Sequence, residues 1–279
     1  MGLIPSGIQA LAEAMSRVGE VLIVAPDKEQ SGVGTAVSFH NGIAAAERTS
    51  FIGGARAYAV TGTPSDCVIL GLGPLAEGDI GLVVSGINKG ANVGNAVLGS
   101  GTTMATRVAH ARSPRIPSIA VSLSLQGPRD HREPLFSLAA MVSELLARRL
   151  VEGEMRAGVT LNVNVPSVPR GETRGIAVTR LSPIGYWRLR TEQGGDGLYY
   201  NKLSAIAADH PDIEEGTDVW ALNRGLISIS PLRLEVTDEI VLPALREHAP
   251  RMESALERMS RSTCSVSAGL RDRSRGPIR

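Results

Sequence analysis

The chain has 279 residues, a length that allows one large domain or two small ones. Hydrophobic residues make up 43% of it and charged residues 20%, which excludes a wholly disordered chain. The net charge of +1 argues against nucleic acid as the main partner, and two cysteines are too few for a disulfide framework. We expect a cytoplasmic protein with no membrane contact, because no apolar run reaches spanning length and no signal peptide is visible.

Apolar periodicity predicts that helices and strands alternate through most of the chain. Helical spacing over 8–18 is followed by Val21-Leu22-Ile23-Val24, a run typical of a strand buried on both faces of a parallel sheet. Further strands are predicted at 57–61, 80–84, 119–123, 159–165, 175–181 and 226–232, and helices through 67–70, 102–111 and 135–150. Alternating units of this kind predict an α/β fold with helices on both faces of the sheet.

The C-terminal third departs from this alternation. Residues 184–220 hold both tryptophans and three of the four tyrosines, with glycine-rich turn signals at 194–197, which predicts a hairpin-rich arm. A helix-like stretch from Glu239 is expected to be interrupted at Pro243 and Pro250. Residues 251–279 carry seven basic and three acidic side chains. We therefore predict a domain over 1–250, including the arm, and a poorly ordered basic tail over 251–279.

Polar loops follow several predicted strands, at the edge where α/β sheets bind ligands. The longest, 85–101, is rich in glycine and leads into a helix, so its N–H groups and the hydroxyls of Ser100, Thr102 and Thr103 are candidates for holding a phosphate. A glycine-rich turn with Ser100 or Thr102 as the helix cap explains the same residues, and on spacing alone we favour it. The loop matches neither GxGxxG nor the Walker A motif.

A divalent cation is a second candidate ligand of these loops. Ser31 and Asn88 offer neutral oxygens, and Asp27 and Asp66 are the nearby carboxylates. Each has a simpler explanation that we favour: turn residues for Ser31, Asn88 and Asp27, and a first-turn helix carboxylate for Asp66. The five histidines lack metal-type spacing, no GxSxG elbow occurs, and Cys67 is expected to be a small core residue.

Together these stretches resemble one known family. The resemblance rests on GIQALAEAM (7–15), VLIVAPDKEQSGVG (21–34), VTGTPSDCVILGL (60–72), LVVSGINKGANVGNAV (82–97), GSGTTMAT (99–106), IPSIAVSL (116–123), LNVNVP (161–166) and GTDVWALNRGLISISPL (216–232). In this order they are similar to the stationary-phase survival protein SurE family of metal-dependent 5′(3′)-nucleotidases and acid phosphatases. The resemblance implies a Rossmann-like three-layer sandwich with a β-hairpin arm and a C-terminal segment used to assemble a homodimer or homotetramer.

The same resemblance implies a set of site residues. It assigns one divalent cation per subunit, Mg²⁺ or Mn²⁺, and matches Ser31 and Asn88 to metal ligands. It implies catalytic roles for Asn88, Ser100, Gly101 and Thr102, and contact with a nucleoside monophosphate for Lys89, Asn92 and Thr103. Lys89 is equally explained as a solvated loop residue.

The sequence also departs from the family pattern. The family opens with a central strand ending in Asn-Asp-Asp-Gly, whereas an ungapped match through Gly7-Ile8 puts Met1 at the second aspartate and Gly2 at the glycine. Both carboxylate ligands and that strand are therefore missing from the chain, which a start site placed too late or a divergent homologue would explain. Divergence is also indicated by Gly99, where the family commonly has tyrosine, and by Arg107-Val108-Ala109 in place of Met-Glu-Gly.

Two functions remain after this comparison of motifs. The first is a metal-dependent phosphomonoesterase that hydrolyses nucleoside 5′(3′)-monophosphates. The second is a non-catalytic or metal-deficient homologue that acts as a binding or structural oligomer. A dinucleotide-dependent reductase is disfavoured, because no GxGxxG follows a first strand.

Overall fold

A computed structural model describes residues 6–48, 55–113, 115–125, 135–184, 187–205, 210–233 and 235–271. The chain divides into two compact units, Met1–Leu234 and Glu235–Arg279. The expected boundary at residue 250 falls inside a helix of the second unit.

Helices and strands alternate in the first unit as the apolar pattern predicts. The helices are α1 (Ser6–Met15), α2 (Pro64–Gly71), α3 (Gly101–Arg112), α4 (Phe136–Val151) and α5 (Asp218–Asn223). The strands are β1 (Leu22–Pro26), β2 (Ala45–Arg48), β3 (Arg56–Val60), β4 (Val83–Lys89), β5 (Ser118–Ser124), β6 (Thr160–Pro166), β7 (Ile176–Val178), β8 (Trp187–Gln193), β9 (Tyr199–Ala205) and β10 (Ile227–Leu232). Strand β4 begins and ends further along the chain than the strand predicted at 80–84. It includes residues 85–89 of the expected loop, because this segment pairs with β5 across a register shift.

The strands form two main sheets and a separate hairpin. The larger sheet has the order β4-β5-β6-β10-β7, with β4, β5 and β6 parallel and β10 antiparallel to β6. The smaller sheet has the order β1-β3-β2, with β1 parallel to β3. With helices packed on its strands, this arrangement confirms the α/β class. Strands β8 and β9 pair antiparallel inside the segment expected to form an arm.

One edge of β1 and one edge of β4 have no strand partner among the described residues. Both strands are mostly half-buried, whereas every residue of β5 and β6 is buried. Helix α1 packs against both sheets: Leu11 joins the main core with Ile119, and Ala12 joins a smaller cluster with Ile23. Strands β1 and β4 are thus edge strands of their two sheets within the described residues.

The two faces of the larger sheet differ in polarity. Its apolar face, which includes Val121 and Val163, packs under α1 and α4 as the main core. The opposite face is also buried but is polar, with Ser118, Ser122, Thr160, Asn162, Asn164, Ser228 and Ser230 at alternate strand positions. Because buried polar atoms need partners, this face is the part of the fold that can fix polar loops by hydrogen bonds.

The second unit consists mainly of α6, Leu242–Arg271. The helix continues through both prolines that we expected to interrupt it. Pro243 lies in the first turn of the helix, where a backbone N–H would have no helical partner, so proline costs little there. Pro250 lies inside the helix, and its carbonyl accepts from the Ser254 hydroxyl at 3.0 Å. The helix also takes in residues up to 271 of the expected poorly ordered tail, and 272–279 lie outside the described residues. Across the described residues, no helix combines the length and apolarity that crossing a membrane requires.

Candidate functional site

Three loops meet at the N-terminus of α3. A Cβ atom on Gly101 would lie 3.0 Å from Pro64 Cγ, 3.3 Å from Val33 Cγ2 and 3.5 Å from the Gln30 carbonyl oxygen. Gln30 and Val33 belong to the loop after β1, and Pro64 follows β3. The carboxyl ends of β1, β3 and β4 therefore converge on one helix start, as expected for the ligand edge of a parallel sheet.

The first turn of α3 carries most of the residues expected to hold a phosphate. The Ser100 side chain caps the helix by accepting from the Thr103 N–H at 3.1 Å, which confirms the cap that the sequence favoured. Gly101 and Thr102 occupy the first two helical positions, whose N–H groups have no intrahelical acceptor. Thr103 is fully buried, and its hydroxyl lies 3.4 Å from the Asn162 side-chain oxygen. The turn can thus bind an anion through backbone N–H groups and the positive end of the helix dipole.

Asn88 and Lys89 end strand β4, which packs against α3. The Asn88 Nδ2 donates to the Gly90 carbonyl at 2.8 Å, which leaves Oδ1 as the atom available to a ligand. The Lys89 side chain is exposed. Close packing also requires glycine at position 86, because a Cβ there would lie 2.4 Å from the Val121 carbonyl oxygen.

Asn92, which is expected to contact substrate, is 8% exposed. It is the centre of a group that we call the amide cluster: Asn92, Ser122, Asn162 and Asn164. The Asn92 N–H donates to Asn164 Oδ1 at 2.8 Å, and its Nδ2 donates to Ser122 Oγ at 2.8 Å. Its carbonyl accepts from Asn162 Nδ2 at 2.8 Å and from Asn164 Nδ2 at 3.0 Å. The cluster holds the loop after β4 on the polar face of the sheet. We did not single out Asn162 and Asn164 from the sequence, although their alternation with valine in LNVNVP was a signal.

Asp218 fixes the other end of the same loop and was also missed from the sequence. Its carboxylate accepts from the N–H groups of Gly94 and Ser182, both at 2.8 Å, and of Val219 at 2.9 Å. Burial raises the pKa of Asp218 above its usual value, and the three donors offset only part of that rise. Gly94 is needed here because its φ is +52° and a Cβ would lie 2.3 Å from the Ile184 carbonyl oxygen.

The loop after β1 brings Ser31 to the same edge of the sheet. Its hydroxyl donates to Glu29 Oε1 at 2.8 Å in an exposed turn, and Gly34 N–H donates to the Gly99 carbonyl at 3.1 Å. Asp27 is exposed, as a surface turn residue should be. Asp66 forms a capping box with Thr63 at the start of α2, which confirms the first-turn explanation.

The carboxylate of Asp66 is almost fully buried, with 1% of the residue exposed. It accepts from the Ser38 N–H at 3.0 Å, the Ser38 hydroxyl at 2.8 Å and the Thr63 N–H at 2.8 Å. Burial raises the pKa of Asp66, but the donors of Ser38 and Thr63 outweigh it and hold the pKa below its usual value.

The residues present do not fit a divalent cation by themselves. The described residues contain no group of three or more histidine, cysteine, aspartate or glutamate side chains that could hold a metal ion. The Asp66 carboxylate is already occupied by donors of Ser38 and Thr63, and the Ser31 hydroxyl donates to Glu29. Asn88 Oδ1 is a neutral ligand, whereas hard divalent ions depend on anionic oxygens.

The fold and the site define an α/β protein with a capped helix N-terminus at the carboxyl edge of its parallel strands. The family model described as survival protein SurE matches residues 2–187. The chain belongs to the SurE family.

Curated relatives and a solved structure agree with this assignment. The chain is 40% identical over 238 residues to the protein named 5′-nucleotidase SurE of Moorella thermoacetica, an alignment that covers 85% of this chain and 88% of the relative. It is 38% identical over 235 residues to the protein of the same name from Dehalococcoides mccartyi strain CBDB1, covering 83% and 85%. The crystal structure of SurE protein from Aquifex aeolicus is similar with a TM-score of 0.72 and 32% identity, covering 88% of this chain and 94% of that one.

Proposed function

We propose that this protein is a phosphomonoesterase that hydrolyses nucleoside 5′(3′)-monophosphates to a nucleoside and phosphate. The observation that supports it most is the convergence of three strand-end loops on the capped N-terminus of α3 around Gly101. The match to relatives named 5′-nucleotidase SurE supports this substrate class.

In this proposal the phosphoryl group lies against the first turn of α3. The N–H groups of Gly101 and Thr102 donate to its oxygens, and the Asn88 amide and the Lys89 ammonium face it from the end of β4. Water attacks phosphorus in line, the bond to the ester oxygen breaks, and that oxygen leaves with a proton as the nucleoside hydroxyl. The buried Asn92 and Thr103 act on the position of the loop and the helix instead of touching substrate.

The alternative is a homologue that binds nucleotide or assembles as an oligomer without turnover. The absence of a carboxylate group fit for a metal among the described residues favours this second function. The family resemblance carries the opposite expectation, dependence on Mg²⁺ or Mn²⁺.

Phosphate release from adenosine 5′-monophosphate separates the two. The purified chain is assayed with Mn²⁺, with Mg²⁺ and with EDTA, and binding of the nucleotide is measured in parallel. We expect release that EDTA abolishes. Binding of the nucleotide without any EDTA-sensitive release would establish the alternative and refute the esterase.

Two matched variants locate the activity. Asn88→Ala removes the amide that faces the phosphoryl group, and we expect release to fall by about tenfold or more. Asn95→Ala makes the same change on the same loop, where the exposed side chain donates to the Pro183 carbonyl at 2.8 Å, and should retain activity. Equal losses in the two variants would show that the site is elsewhere.

We also propose a homodimer or homotetramer built with the β8–β9 hairpin. Exposed apolar side chains on this hairpin support an interface: Leu189 is 61% exposed and Tyr199 72%. Light scattering on the intact chain and on Leu189→Ser tests it. A chain that is monomeric at all concentrations would refute the proposal.

A further inference from the structure

The loop between β1 and β2 is long and largely exposed, yet it carries residues that pack on the candidate site. Its segment 30–34 contacts the start of α3 through Gln30 and Val33, and Gly34 bonds to the Gly99 carbonyl. Exposed loop segments lose such contacts readily unless they are anchored nearby. Segment 30–34 therefore needs an anchor nearby to keep its contacts with α3.

The anchor lies a few residues further along, at Ala36 and Ser38. The Thr63 hydroxyl donates to the Ala36 carbonyl at 2.6 Å. The Ser38 N–H and hydroxyl both donate to the buried Asp66 carboxylate. One capping box at the start of α2 thus supports its own helix and also ties down the loop.

Both oxygens of the Asp66 carboxylate accept hydrogen bonds from Ser38, and Oδ2 also caps the helix. Oδ2 accepts from the Thr63 N–H and the Ser38 hydroxyl, whereas Oδ1 accepts from the Ser38 N–H. Hydrogen bonds to a charged carboxylate are stronger than those between neutral groups. The bonds from Ser38 to Asp66 therefore hold the loop more strongly than the same number of neutral hydrogen bonds would.

We propose that Asp66 is a positioning residue, which through Ser38 holds the segment 30–38 against the N-terminus of α3. This inference rests on the proposed function of that site. Asp66 does not touch the substrate in it; it fixes the wall formed by Gln30 and Val33 beside Gly101.

The substitution Asp66→Asn separates anchoring from capping. If its oxygen takes the place of Oδ2, it still accepts from Thr63 and keeps the helix start. Its NH₂ group then faces the Ser38 N–H, and two donors repel where one bond existed. Ser38→Ala is the milder companion, because it removes the hydroxyl bond and keeps the N–H bond. Asp79→Asn makes the same chemical change at an exposed aspartate and is the control.

Hydrogen exchange measured by mass spectrometry tests the anchor without any reference to activity. We expect exchange in peptides covering 30–38 to be about tenfold faster in Asp66→Asn, less accelerated in Ser38→Ala and unchanged in Asp79→Asn. Peptides from β5 and β6 should exchange at the same rate in all four proteins, which shows that the fold is intact. Unchanged exchange over 30–38 in Asp66→Asn would overturn the proposal.

Kinetics then show whether the anchor serves the site. We expect Asp66→Asn to raise KM for adenosine 5′-monophosphate by about fivefold with little change in kcat, because substrate binding loses a wall and the bond-breaking groups stay in place. The double variant Asp66→Asn/Ser38→Ala should lose less than the sum of the two single losses, because repulsion at the Ser38 N–H already weakens the hydroxyl bond to the same side chain. Faster exchange with unchanged KM, or additive losses in the double variant, would also overturn the positioning role. A chain without turnover fails the proposed function, while the exchange experiment still decides the anchor.

Discussion

The amide cluster yields a prediction that uses two identical substitutions on one strand. Asn162 and Asn164 are two residues apart on β6, both are fully buried, and both donate to the Asn92 carbonyl. Only Asn164 also accepts from the Asn92 N–H. Asn164→Ala therefore leaves a buried N–H without an acceptor, whereas after Asn162→Ala the Asn92 carbonyl keeps its bond to Asn164.

The expected magnitudes follow from that difference. Asn162→Ala loses one bond whose acceptor stays satisfied, at a cost of about 1 kcal/mol plus the cost of the cavity. It also loses the long 3.4 Å contact from the Thr103 hydroxyl, a small addition because a hydroxyl can rotate toward another acceptor. An orphaned buried N–H costs about 1–3 kcal/mol more, so Asn164→Ala should be less stable than Asn162→Ala by about 1–3 kcal/mol. The cavity contribution is similar in both variants and largely cancels in the comparison.

Urea unfolding followed by tryptophan fluorescence measures the two free energies of unfolding. The slopes should be equal and the midpoints different. Asn164→Ala should also lose more phosphate release, because Asn92 lies in the loop that directly follows Asn88 and Lys89. Equal midpoints for the two variants, or a lower midpoint for Asn162→Ala, would refute the assignment of these hydrogen bonds.

Two further predictions concern the site and the buried thiol. Gly101→Ala should lower phosphate release because its Cβ presses on Pro64, whereas Gly99→Ala has open space around the Cβ and should not; similar activities would contradict the contact. Burial and a neighbouring carboxylate raise the pKa of Cys67 to about 12, so in a Cys264→Ser chain at pH 8 a thiol reagent should react only after unfolding.

The acid sensitivity of the anchor has a definite sign. Because the pKa of Asp66 is lowered in the folded state, its contribution to stability is present above the ordinary aspartate pKa and is lost as the pH falls through the folded-state value. Asp66→Asn should therefore flatten the acid side of the stability curve, and an unchanged curve would contradict the lowered pKa.

Local signals in the sequence were enough for the α/β class and for the start of α3. The apolar run before Pro26 and the valine-rich segment at 159–165 predicted strands because β-branched and other apolar side chains favour the strand conformation. Ser100 as a helix cap and Asp66 as a first-turn carboxylate were predictable because a cap bonds to N–H groups two or three residues away. The family motifs added the candidate substrate.

Tertiary structure decided everything that depends on partners far apart in the chain. Asn92 is paired with Asn164 across 72 residues, Asp218 with Gly94 across 124, and Asp66 with Ser38 across 28. Sequence patterns identify each of these side chains as polar, but burial turns them into anchors, because a buried donor or acceptor must find a partner wherever the sheet order places one. The order of the strands thus determines which polar residues hold the loops and which remain at the surface to meet a ligand.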